Sequence, residues 1–140
     1  MKRLAAGLAA AALTTSVAVF AFSGAAQATS PTCTVTADPP WIYSGKVWGA
    51  GYLSCTQTAD FTLTTILWRN NGNGYTSFKK SFSGENAIKY LDVSTTCKSG
   101  AGSRQWHSEA TIDWEILGSG GVIAHGKSVN NSSDVSLNCL

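Results

Sequence analysis

The 140-residue chain carries ten basic and eight acidic residues, a formal net charge of +2. Two of the basic residues, Lys2 and Arg3, belong to an apolar leader, so the remainder is charge-balanced and offers no cationic track for phosphates. Nucleic acid is therefore not an expected partner, and the length allows a single domain.

Met1 to Ala28 reads as a secretory signal peptide. Lys2 and Arg3 form the positive start, Leu4 to Phe22 is apolar and small, and Ala26-Gln27-Ala28 is a small-x-small cleavage site. The apolar part is short and Ala-rich, and no basic stop-transfer cluster follows it, which disfavours a retained membrane helix. The expectation is a secreted, extracellular domain spanning 29–140 with no membrane segment after cleavage. Its four cysteines, Cys33, Cys55, Cys97 and Cys139, are spread along the chain without a C-x-x-C, as two disulfides are and a zinc site is not. Cys33 opens one strand and Cys55 closes the next, so antiparallel pairing would join these two. The pair Cys97–Cys139 follows by exclusion.

In chain order, Cys33 to Ala37 alternates and is rich in β-branched residues, which predicts a first strand stopped by Asp38-Pro39-Pro40. Trp41 to Gly45 reads as a turn-containing connection. Lys46 to Thr56 is a second strand with Gly49 and Gly51 on its core face, where a tryptophan from a facing layer is expected. Gln57 to Asp60 reads as a turn, and Phe61 to Arg69 as a third strand. Asn70-Asn71-Gly72-Asn73-Gly74 is a strong turn signal. Tyr75 to Phe82, with Lys79-Lys80, suits an edge strand, and Ser83 to Asn86 turns again. Ala87 to Cys97 is a fifth strand.

The most regular stretch is Arg104 to Leu117. Trp106, Ser108, Ala110, Ile112, Trp114 and Ile116 alternate with His107, Glu109, Thr111, Asp113 and Glu115, the period of a strand with one buried face. A three-residue turn at Ser119-Gly120-Gly121 would place Glu115 opposite His125, Asp113 opposite Lys127 and Trp114 over Gly126. Strands at Val122–Val129 and Asp134–Cys139 complete a set of eight. Short strands and frequent turns without helical periodicity predict an all-β, antiparallel, immunoglobulin-like β-sandwich with two disulfides, a small closed barrel being the alternative.

The catalytic inventory is thin. There is no nucleophile elbow, no H-E-x-x-H, no phosphate-binding glycine loop and no spare cysteine. His107, Glu109, Glu115 and His125 could be assembled into a metal or acid–base site, but with no third metal ligand or oriented triad in evidence a solvated strand face with cross-strand charge pairs is the preferred reading. No enzyme activity, metal or cofactor is expected. Five tryptophans is a high count for so small a domain. Trp106 and Trp114 belong to the core face. Trp48, Tyr52 and Trp68 lie opposite the leucine and cysteine faces, so they point outward as candidate binding residues. The alternative is a satellite cluster beneath the Trp41–Tyr43 segment.

The Ala26-Gln27-Ala28 site, Cys33-Thr34-Val35, the Gly45 to Gly51 run, Leu67-Trp68-Arg69 and Cys97-Lys98-Ser99-Gly100 followed by Trp106 resemble small disulfide-bonded β-sandwich proteins secreted by filamentous actinobacteria. In size and layout the chain is similar to the small adaptor subunit of secreted umbrella-shaped toxin particles, which links a lectin-bearing subunit to a repeat-containing stalk. The resemblance implies an adaptor role and assigns no functional residue. The expected function is a secreted, non-enzymatic protein-binding module, an adaptor of an exported complex or an inhibitor of an extracellular protease. A carbohydrate-binding module using exposed aromatics is the alternative, with polysaccharide as its partner. A metal-dependent hydrolase ranks third.

Overall fold

Alternation of apolar and polar residues runs through nearly the whole chain, and it forms strands wherever a turn does not intervene. The computed structural model describes residues 30–100 and 102–139, so the expected leader at 1–28 lies outside the described residues. The described residues form six strands: β1 (Cys33–Tyr43), β2 (Lys46–Asn70), β3 (Tyr75–Thr96), β4 (Ser103–Gly118), β5 (Gly121–Asn131) and β6 (Val135–Asn138). Every pairing is antiparallel, in the order β1-β2-β4-β5, with β3 also on β2 and β6 on β4. No helix occurs among the described residues.

Six strands rather than eight form because two of the expected turns are passed by continuous strand, Gln57 to Asp60 through a bulge and Ser83 to Asn86 in regular pairing with Ala59 to Thr62. β2 is 25 residues long and β3 is 22, and their ladder is interrupted only between Ser54 and Ala59. Gln57 to Asp60 holds neither glycine nor proline, so nothing in it forces the chain to reverse, and a bulge turns a corner while pairing resumes beyond it. On the facing strand, the Asn86 side chain accepts hydrogen bonds from the Ala87 and Ile88 amides at 2.8 and 3.3 Å, which shapes the same corner. Pro39-Pro40 likewise do not end β1. They sit in a register shift between Asp38 and Trp41, after which pairing continues to Tyr43. Proline is tolerated there because β1 pairs only with β2 and the missing amides disturb no second ladder. Ser44 and Gly45, with φ of 51° and 71°, then make the tight turn into β2.

At the corner the β2–β3 hairpin doubles over, and the first half of β2 faces the second. A Cβ added to Gly51 would lie 2.6 Å from Thr65 Oγ1 and 2.8 Å from Ala110 Cβ, and one on Gly49 would lie 2.5 Å from Ser108 Oγ. The occupants opposite these glycines are thus small polar and aliphatic groups, not the expected tryptophan. This belt of close approach separates two apolar clusters. One joins Val35, Leu53 and Leu91 to Phe61, Leu63, Ile112, Trp114 and Ile116, and the other joins Val47 and Val93 to Leu67 and Trp106. The belt's hydroxyls differ in their bonding. Thr65 donates to the Leu91 carbonyl at 2.8 Å, whereas Ser108 Oγ is buried without a partner.

The β4 alternation is as expected, with Trp106 and Trp114 buried and Asp113 and Glu115 exposed. Glu115 stands opposite His125, Asp113 opposite Lys127 and Trp114 opposite Gly126. The turn that achieves this is shorter than expected, with Gly118 pairing Gly121, and a bulge between Ile116 and Leu117 restores the register. Both disulfides form as expected, Cys33–Cys55 between facing positions of β1 and β2 and Cys97–Cys139 across 42 residues. Each closes a loop of the unfolded chain and contributes about 2–4 kcal/mol. β1 also reaches β5 directly, where the Ala37 amide donates to Asn130 Oδ1 at 2.9 Å.

Candidate functional site

Strand register builds the surface over Trp48 and Tyr52 row by row, because residues directly opposite each other share a face. Trp41 and Ser94 flank Trp48, Asp38 and Asp92 flank Ala50, and Thr36 and Tyr90 flank Tyr52. Four aromatic side chains, Trp41, Trp48, Tyr52 and Tyr90, therefore stand on one outer face with two carboxylates between them. Trp48 and Tyr52 are four residues apart, about 13 Å along the strand. Both are half-buried, and Tyr90 is half exposed.

The side chains of this face are already tied together. Trp48 Nε1 donates to the Tyr43 carbonyl at 3.1 Å, and the Lys46 ammonium lies 5.9 Å from the indole centroid. Tyr90 donates its hydroxyl to Asp38 Oδ2 at 2.9 Å. Partial burial, then that hydrogen bond and the charges of Asp38 and Asp92, push the Tyr90 phenol up to about 12. The tyrosine thus holds its proton throughout the neutral range and Asp38 acts as the acceptor. Ala50, between the two carboxylates, is fully covered by its neighbours.

Trp68 does not join it. Trp68 points to the outside of β2's second half, and because the two halves face each other, their outer sides are opposite surfaces of the domain. Here Trp68 stands opposite His107. The two rings are near parallel, with centroids 6.2 Å apart and 24° between planes. Tyr75 is set edgewise to both, at 6.4 Å and 88° from Trp68 and at 6.2 Å and 68° from His107. The three rings with Glu109 and Asn131 line a shallow groove of about 360 Å³. The Asp134 carboxylate, 3.2 Å from His107 Nδ1, orients the imidazole.

The four titratable residues weighed as a metal or acid–base set are divided between two ends of this surface. Glu115 and His125 pair at one end, while His107 and Glu109 border the Trp68 groove. Six residues of strand separate Glu109 from Glu115, about 20 Å. Beside Glu115, Asp60 lies between Glu85 and Glu115 in one cross-strand row, in an open groove of about 570 Å³. Among the described residues no group of three or more His, Cys, Asp or Glu side chains could hold a metal ion. Asp113 is paired with Lys127 at 2.8 Å, which raises the lysine pKa through the hydrogen bond and the carboxylate charge.

Trp41, Tyr75, Tyr90 and Asn131 are the neighbours that sequence reasoning left unassigned. Trp41 was obscured by the proline pair before it, although its spacing from Trp48 across a two-residue turn at Ser44-Gly45 is a usable hairpin signal. Tyr75 follows a turn, Asn131 sits in a polar run, and only their cross-strand partners bring them to a site. No protein-family model, curated protein or solved structure matches this chain.

Proposed function

We propose that this protein is an exported, non-enzymatic binding module, a small β-sandwich of immunoglobulin-like type that holds another secreted protein. Its role is that of an adaptor subunit in an exported, toxin-type complex, or of an inhibitor of an extracellular protease. The observation that supports this reading is the outer face carrying Trp41, Trp48, Tyr52 and Tyr90 around Asp38 and Asp92. Aromatic residues on a rigid sheet, rimmed by polar groups, have the composition of an interface centre. Two disulfides are compatible with an extracellular location.

Polysaccharide is the other ligand that exposed aromatics suit. On this face the rings are half-buried, and two of the hydrogen-bonding groups are engaged, Tyr90 with Asp38 and Trp48 with the Tyr43 carbonyl. Half-buried rings favour protein contact, which uses a broad apolar area, over sugar, which stacks on an open ring face. The test is capture of partners from the producer's culture medium by the parent and by the Trp48→Ala/Tyr52→Ala variant. We expect a fixed-stoichiometry complex on a sizing column that the variant weakens by roughly thirtyfold or more, with little change in Tm. A folded variant that retains every partner of the parent removes this face from the argument.

A further inference from the structure

The groove around Trp68 lies on the opposite surface from the proposed protein-binding face, and its chemistry is different. Trp68 and His107 are neighbours on β2 and β4, and their near-parallel rings stack on each other, leaving the other face of the indole for a ligand. Tyr75, just beyond the Asn71–Gly74 turn, meets both rings edgewise as a single wall. The turn is held by the Gly72 amide donating to Asn70 Oδ1 at 2.8 Å and the Asn71 amide donating to the Gly74 carbonyl at 2.8 Å, which sets the chain's path into Tyr75. The remaining lining is polar. Glu109 supplies acceptors, and Asn131 supplies both a donor pair and an acceptor. No hydrogen bond from either side chain to another residue occurs among the described residues.

We propose that this corner is a saccharide-binding site. The apolar face of one sugar ring lies on the Trp68 indole and against Tyr75, and its hydroxyls bond to the Glu109 carboxylate and the Asn131 amide. A sugar presents two kinds of surface at once, C–H groups on the ring face and hydroxyls around the rim. The groove offers matching aromatic faces and planar polar side chains within one small space. Its volume of about 360 Å³ lies toward the small end of ligand sites, about 300–1,000 Å³. An organic cation is the other ligand that rings and a carboxylate can hold. A cation is held best when several ring faces surround it. Here Trp68 and His107 stack on each other and Tyr75 meets both edgewise, so the ring faces do not close around a ligand as a cage would. The open geometry and the mixed donor–acceptor lining favour sugar. The site does not depend on the protein-partner reading, since no residue is shared between the two surfaces.

The test is NMR titration of the folded, disulfide-bonded protein with cellotriose, chitotriose, xylotriose, mannotriose and galactotriose, and with tetramethylammonium as a cation probe. We expect at least one trisaccharide to shift the Trp68 indole and Asn131 side-chain signals while leaving Trp48 and Tyr52 unmoved. Tyr75 is 62% exposed, so Tyr75→Ala remains folded whether or not Trp68→Ala does. It should weaken that binding roughly tenfold or more at an unchanged Tm, and Trp48→Ala should not weaken it. Three outcomes overturn the proposal: no trisaccharide binds, binding maps to the Trp48 face, or tetramethylammonium alone occupies the corner.

Discussion

The two halves of β2 follow one alternation and yet build opposite surfaces. In the first half the inward positions at the belt are Gly49 and Gly51, and the bulk lies outside in Trp48 and Tyr52. In the second half Leu63, Thr65 and Leu67 point inward, and outside are Thr62, Thr64 and Ile66 before Trp68. The halves are complementary, since glycine on one side makes room for larger groups on the other and lets the layers approach. Their outer faces differ to match. On the first, Ala50 separates the carboxylates of Asp38 and Asp92, and four rings form a platform. On the second, hydroxyl pairs cross the strands, Thr62 with Ser83 and Thr64 with Ser81, both at 2.8 Å, and three carboxylates stand side by side. A doubled strand thus gives a small domain two chemically distinct surfaces on one rigid frame.

Three substitutions test that contrast. The largest effect belongs to Trp114, which packs beside Phe61 on the inner side of the second half and lies against Gly126. Trp114→Ala should cost about 3–5 kcal/mol, while Glu115→Ala on the outer side should stay within about 0.5 kcal/mol. Chemical denaturation of the two variants decides it, and equal losses would mean that the inner and outer sides are reversed.

Gly51→Ala should come next. Its Cβ would press on Thr65 and Ala110, and overpacking of this kind costs about 1–3 kcal/mol. Thr62→Ala, on the outer side, serves as the control. If a calorimetric scan found Gly51→Ala as stable as the parent, the halves of β2 would not be in contact.

The smallest effect is a gain. Asp60 is flanked by Glu85 and Glu115, and like charges directly opposite each other destabilise a sheet. Asp60→Asn should raise stability by about 0.2–1 kcal/mol at low salt, and the gain should shrink as salt screens the row. Asp38→Asn on the other face should give no such gain, because Asp38 accepts the Tyr90 hydrogen bond and Ala50 keeps it from Asp92. A stability comparison across a salt series separates the two surfaces.

Much of this was legible in the residues. The β4 alternation placed Trp106, Ser108, Ala110, Ile112, Trp114 and Ile116 inward, and the structure buries all six. The opposition of Glu115 to His125 and both disulfide pairings could also be reasoned from strand order and turn position. Those are local properties, because period two follows from the pleat and a short hairpin sets its own register. What needed the tertiary structure was the path of the chain through Cys55–Asp60 and Pro39-Pro40, where turn-like residues carry bulges instead. It also took the tertiary structure to part Trp68 from Trp48 and Tyr52. Alternation says only which side of a strand a residue takes. Which surface of the domain that side becomes is decided where the strand doubles over, and that corner is held by pairing between residues far apart in the chain.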